Sequence, residues 1–244
     1  MQKIQTKSFN LACHVRGKET AEKLALVLPG RLDTKDYAHM ISHIDFLAEK
    51  GYLAVTFDPP GTWESEGDIS EYTETNYSQA IGELIEYFGN KPSLLVGHSR
   101  GGSMAMYSGC KFEQVIGFVA VMSNVESSKY DTTRVVDGTL FSKRDLPSNP
   151  TGDEKKEFYL PVHYFEDAQR HDRATPLKEC TKPKMFIAGL QDPLVSPDTV
   201  KSIYNMAGEP KIYHEVDFGH DYRKSSEIIK EVEGLLEEFI NNSF

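Results

Sequence analysis

A chain of 244 residues with 39% hydrophobic and 26% charged side chains is long enough for one large α/β domain and short for two. Its formal charge of −10 argues against nucleic acid or an anionic membrane as the main partner. No apolar run reaches transmembrane length, the start Met-Gln-Lys-Ile-Gln-Thr-Lys has no signal core, and Cys13, Cys110 and Cys180 fit neither a disulfide framework nor a zinc site. A cytoplasmic protein with free thiols is expected.

The first twenty or so residues read as an antiparallel hairpin on a sheet edge. Leu24-Ala-Leu-Val-Leu28 follows as an unbroken apolar strand. Tyr37, Met40, Ile41, Ile44 and Leu47 then repeat at helical spacing. Leu53-Ala-Val-Thr-Phe57 is the next strand, and Tyr77, Ala80, Ile81, Leu84, Ile85 and Phe88 mark the next helix. Leu94-Leu-Val96, Val115 to Met122, Met185 to Ala188 and Ile212 to Val216 complete the strands, and Ile228 to Ile240 carries a last helical stripe. Continuous apolar strands alternating with helices predict βα units on a mainly parallel sheet covered on both faces. The alternation breaks over about 124–181, where aromatics and histidines occur without clear period. An insertion of that length predicts a small cap or lid within a single domain spanning 1–244.

The chemistry concentrates at Gly97-His98-Ser99-Arg100-Gly101, between a strand and a helix. A G-x-S-x-G run in that setting marks a nucleophile elbow, a turn too tight for Cβ atoms at its glycines. The turn lifts the Ser99 hydroxyl to a helix N-terminus, where backbone N–H groups favour developing negative charge. A serine hydroxyl needs a base, and the base needs an orienting acid. Asp192 follows the strand ending near Ala188, and His220 follows the last strand, in the order Ser, Asp, His. Parallel strands deliver their C-terminal ends to one edge, so the three can converge there.

On these motifs the chain resembles the α/β-hydrolase fold serine hydrolases, near the esterase, monoacylglycerol-lipase-like and serine-aminopeptidase-like branch. The resemblance implies the α/β-hydrolase fold, a Ser99–His220–Asp192 triad, an acyl-enzyme and no cofactor or metal. Members carry His-Gly-x after the third strand, and here Leu28-Pro29-Gly30-Arg31 stands in its place. The backbone N–H groups of Arg31 and Arg100 are then the expected oxyanion donors. The family's D-x-x-G-x-G-x-S-x-G loop is matched by Asp58 to Gly67, departing at Pro60 and Trp63. The implied substrate is a small carboxylic ester or thioester. A serine aminopeptidase, a carbon–carbon bond hydrolase and a non-catalytic ligand-binding member of the fold are the alternatives.

Several residues carry weaker readings. Trp63, Phe141 and Tyr164 are candidates to line an acyl or aryl pocket. The Arg31 and Arg100 guanidinium groups could face the pocket mouth and attract an acidic substrate. His39 and His43 lie four apart but lack a third ligand, which makes them a polar helix flank. Glu64 to Asp68, with Glu71 and Glu74, reads as a solvated acidic surface.

Overall fold

In the computed structural model, which describes residues 1–127, 130–149 and 152–244, the apolar runs become one eight-stranded sheet. In chain order the sheet contains β1 (Gln2–Gln5), β2 (Asn10–Arg16), β3 (Leu24–Leu28), β4 (Leu53–Phe57), β5 (Ser93–His98) and β6 (Val115–Val121). After the insertion come β10 (Lys184–Gly189) and β11 (Lys211–Val216). Their spatial order is β1-β2-β4-β3-β5-β6-β10-β11. The β1–β2 hairpin and the β2–β4 pair are antiparallel, and the other five pairings are parallel. This is the α/β-hydrolase fold.

Helices α1 (Ala38–Glu49), α2 (Glu74–Tyr87) and α3 (Arg100–Lys111) connect the first half. Later, α6 (Pro197–Met206) and α7 (Ser226–Ser243) connect and close the second. Every residue of β3, β4 and β5 is buried, as a strand sandwiched between helical layers requires. One apolar layer gathers Leu26, Val55, Leu95 and Phe118 against α2 and α3, and the other gathers Val27, Val96, Val119 and Ile187 against α1 and α7.

The segment expected to lack pattern folds as a three-stranded antiparallel sheet, β7 (Val135–Val136), β8 (Thr139–Asp145) and β9 (Lys155–Pro161), followed by α4 (His163–Ala168) and α5 (Ala174–Glu179). Its alternation is real but hidden. Phe158 and Leu160 point inward while Tyr159 between them is exposed, so an aromatic occupies the outward position where a polar residue would betray the period. Positions 128, 129, 150 and 151 of the expected cap lie outside the described residues.

The loops at the C-terminal ends of β3 and β4 are tied by a buried cation. Lys35 has no exposed side-chain surface and donates to Asp58 at 3.1 Å, to Asp36 at 2.7 Å and to Glu64. Asp58, equally buried, also accepts from the Thr34 hydroxyl and the Lys35 main-chain N–H. Three carboxylates that could together hold a metal ion thus converge on an ammonium group. Burial opposes the charge on Lys35, but its carboxylate partners outweigh that and raise its pKa above the ordinary lysine range. Glu64 therefore belongs to an ion-pair network and not to a freely solvated acidic face.

Removing one partner of a buried pair leaves the other charge uncompensated. Lys35→Met is expected to cost about 3–5 kcal/mol of unfolding free energy in urea titrations, and a loss below about 1 kcal/mol would show that water reaches Asp58 easily.

Candidate active site

The turn after β5 is built by close packing. Ser99 has φ 53° and ψ −120°, a conformation that L side chains rarely adopt. A Cβ at Gly97 would drive into the Gly101 carbonyl, and one at Gly101 into the Leu28 carbonyl at the end of β3. The Ser99 N–H is anchored on the Val121 carbonyl at 2.9 Å, and its carbonyl accepts from the Ser123 hydroxyl at 2.6 Å. The strain is therefore over-determined by neighbours on both sides. The Ser99 side chain stands at the N-terminus of α3.

Asp192 and His220 arrive on the loops after β10 and β11. His220 Nδ1 lies 2.7 Å from Asp192 Oδ2, and His220 Nε2 lies 2.8 Å from Ser99 Oγ. The other Asp192 oxygen accepts the N–H groups of Leu194 and Val195 at 2.7 and 2.9 Å, which fixes the carboxylate plane. Burial disfavours the Asp192 charge, but the His220 hydrogen bond and these N–H groups outweigh it and hold its pKa below the ordinary aspartate value. An ionised Asp192 accepts from Nδ1–H, leaving Nε2 as the acceptor that faces the serine hydroxyl.

His98 holds this arrangement from beneath. Burial, with His220 close by, pushes its pKa down to about 3, so it is neutral. Its Nε2 lies 2.9 Å from the His220 carbonyl, which only an N–H can satisfy. Its ring stands 5.1 Å from that of Tyr222, whose hydroxyl lies 2.9 Å from His43 Nε2. His43 continues to Glu233 of α7 at 3.2 Å. His39 and His43 are thus fully buried on the inner face of α1 and do not form the polar flank expected of them. His43 finds Tyr222 and Glu233 there, which sequence spacing does not reveal, whereas His39 packs its ring against Tyr222 and His98 and among the described residues makes no hydrogen bond.

The loop after β3 faces Ser99 from the other side. At Gly30 a Cβ would meet the Asp33 carboxylate, which would have to shift, and would sit in contact with the Ser99 side chain. Leu32 is held at φ 58°, its N–H donating to the Tyr72 hydroxyl at 3.1 Å and its carbonyl accepting from the Trp63 indole at 2.9 Å. Arg144 of β8 donates from Nε and Nη2 to the Arg31 carbonyl at 3.0 and 2.6 Å. Among the described residues no hydrogen bond takes up the Arg31 N–H, and Arg100 opens helix α3 directly after Ser99.

A cavity of about 450 Å³ opens over this constellation, with Ser99, His220, Arg31 and Arg100 in its wall. None of the three expected pocket aromatics lines it. Trp63 packs edge-on against Phe158 and Tyr37 and spends its N–H on Leu32. Phe141 lies on the outer face of the small sheet beside Tyr159. Tyr164 is buried and stacked on Tyr72. Trp63 and Tyr164 thus belong to the seam that fastens the insertion to the main domain. Sequence reasoning also missed Glu74, which is buried and pairs with both Arg100 (2.7 Å) and Arg173. The Arg100 guanidinium is consequently turned to Glu74. The acidic run that suggested a solvated surface gives no local sign of either arginine.

A sequence model described as the alpha/beta hydrolase family matches residues 25–206. A 2-hydroxy-6-oxononadienedioate/2-hydroxy-6-oxononatrienedioate hydrolase from a Pseudomonas species is 21% identical over 144 residues, 59% of this chain and 51% of that protein. The mitochondrial palmitoyl-protein thioesterase ABHD10 of Bos taurus is 20% identical over 155 residues, 63% of this chain and 48% of that protein. The matched stretches thus span about half the length of these curated relatives. Among solved structures, Est1E from Butyrivibrio proteoclasticus with bound ferulic acid superimposes with a TM-score of 0.77 at 17% identity, covering 100% of this chain and 99% of that one. Mouse alpha/beta hydrolase domain-containing protein 10 gives 0.74 at 18%, covering 99% and 98%. At these identities the structural likeness speaks for the fold alone.

Arg144 touches neither Ser99 nor His220 but grips the Arg31–Leu32 peptide, which makes it a positioning residue. Arg144→Met is expected to slow fluorophosphonate labelling of Ser99 by about 10- to 100-fold while the thermal midpoint stays near wild type. Arg144→Lys should recover part of the rate. A wild-type labelling rate in Arg144→Met would show that the peptide holds its place without the clamp.

Proposed function

Because the chain belongs to the alpha/beta hydrolase family, we propose that it is a serine hydrolase that cleaves a small carboxylic ester or thioester through an acyl-enzyme. The observation that carries this reading is the unbroken hydrogen-bond chain Asp192–His220–Ser99 at 2.7 and 2.8 Å. In the proposed reaction Ser99 Oγ attacks the acyl carbon as its proton passes to His220 Nε2. The N–H groups of Arg31 and Arg100 receive the oxyanion, and the N-terminal end of α3 adds its dipole. The tetrahedral intermediate expels the alcohol or thiol, which takes the proton from His220. Water activated by the same imidazole then frees the acid. Asp192 holds the Nδ1–H tautomer and stabilises the transient imidazolium. The 124–181 segment serves as a cap, and the C-terminal end of β8 forms part of the cavity wall.

Two features favour an ester or thioester over the peptidase alternative. A peptidase specific for an N-terminal residue needs a carboxylate available to the substrate amine. The cavity carboxylates Asp33, Asp145 and Asp221 already face Arg144, Arg223 and Lys224. The curated bovine relative is named a thioesterase, and the bacterial structure with bound ferulic acid belongs to a protein named Est1E. A purely ligand-binding role is disfavoured because nothing in the arrangement separates the serine from its base.

Fluorophosphonate labelling should be strong in the wild type and absent in folded Ser99→Ala. Turnover of p-nitrophenyl esters should fall by about 10⁴-fold or more in Ser99→Ala and His220→Ala. Equal labelling of wild type and Ser99→Ala would sink the reading. Aminoacyl-nitroanilides cleaved faster than every ester and thioester would move it to the peptidase.

A further inference from the structure

We propose that the cavity beside Ser99 selects esters or thioesters carrying a carboxylate, so that the acyl or leaving group is anionic. This deepens the serine-hydrolase reading and rests on it.

The first observation is the distribution of charge. The whole chain carries a formal charge of −10, yet among the described residues the cavity wall holds six cationic side chains and three carboxylates. Arg100 is taken by Glu74, and Arg223 lies between Asp145 at 2.8 Å and the Tyr37 ring. Arg144 is engaged with Asp33 and the Arg31 carbonyl. Lys143 is half-exposed and faces Glu157 on the neighbouring strand at 3.1 Å. Lys224, also half-exposed, reaches Asp221 at 3.2 Å. Arg31 is different: among the described residues its guanidinium has no ion pair, and it lines the same cavity as the Ser99 hydroxyl. A cleft with a net excess of cations on a protein of negative net charge favours ligands of complementary charge at its mouth.

The second observation is what the wall lacks. Among the seventeen described residues of the wall, Leu194 and Val195 are the aliphatic ones, and none is aromatic apart from the histidines. Sites for neutral fatty or aryl groups are lined mainly by apolar side chains. A long neutral acyl chain would desolvate the Arg31 guanidinium without giving it a partner, which is unfavourable. A short chain ending in a carboxylate offers them a charge-assisted hydrogen-bond partner, and the Arg31 fork can take a carboxylate bidentately. The Arg31 side chain therefore acts on specificity, separately from the N–H of the same residue.

The test compares mono-p-nitrophenyl adipate with p-nitrophenyl hexanoate, equal in acyl length and different in terminal charge. A third ester, 3-carboxy-4-nitrophenyl hexanoate, moves the charge to the leaving group. At low salt, kcat/KM for at least one anionic ester should exceed that of the neutral ester by about 10-fold or more. Raising NaCl from about 20 mM to about 300 mM should erode that advantage and leave the neutral ester nearly unchanged. Arg31→Gln and Lys224→Gln should each narrow the anionic-to-neutral ratio, a quantity that cancels any general loss of rate. Whichever anionic ester is faster places the charge on the acyl or the alcohol side. A neutral ester hydrolysed at least as fast as both anionic ones, in protein that fluorophosphonate labels at Ser99, would overturn the selectivity and leave the hydrolase reading standing. Absence of Ser99 labelling would remove both.

Discussion

The structure around the candidate site depends on one close approach, that of the Gly101 backbone to the Leu28 carbonyl. β3 and β5 are paired in register from Leu24–Ser93 to Leu28–Gly97, so their ends arrive level at the sheet edge. The chain must then reverse into α3 with no room for a side chain at position 97 or 101. Ser99 consequently adopts a positive φ and projects its hydroxyl away from the sheet. The same approach sets Gly30 and the Arg31 peptide beside the Ser99 side chain. Nucleophile and proposed oxyanion donors are therefore fixed by one packing event between two buried strands.

The partners of Ser99 are less directly constrained, because each comes on a loop. Asp192 stabilises its own loop by accepting the N–H groups of Leu194 and Val195. His220 is held from another strand, since His98 of β5 engages the His220 carbonyl. Polar pairs elsewhere play the same part between loops. Lys35 joins the β3 and β4 loops, Glu74 joins α2 to α3 and to Arg173 of the insertion, and Glu233 joins α7 to α1 through His43. Such pairs contribute little net stability compared with apolar packing, but they penalise misplacement strongly. They occupy the places where the sheet stops giving regular backbone partners.

These two kinds of constraint explain what was legible in the sequence. Leu24–Leu28 and Leu53–Phe57 were readable to the residue, because a buried parallel strand is an apolar run bounded by turns. Ser99, Asp192 and His220 could be placed together because each follows a strand and strand ends share an edge. The small sheet of the insertion was not readable, since Tyr159 and Phe141 face outward where polar residues would mark the alternation. Glu74 and His43 were misread for a related reason. Their burial is decided by Arg173 and Glu233, about 100 and 190 residues away, and no local pattern encodes such a partner.

The cavity follows from that same division. The apolar layers that make the fold recognisable stop at the level of Ser99, and the wall above it is formed by loop and insertion residues. Trp63 and Tyr164, expected in an acyl pocket, instead fasten the insertion, Trp63 against Phe158 and Tyr164 against Tyr72, and Tyr37 joins them through its hydroxyl to the Asp145 carbonyl. With Phe158 and Tyr164 committed to that seam and Phe141 and Tyr159 facing outward, the insertion meets the cavity through Lys143, Arg144 and Asp145. The polarity of the site is thus a consequence of how the insertion is attached. Relatives that share the sheet and elbow but attach this segment differently would present a different wall to the same nucleophile.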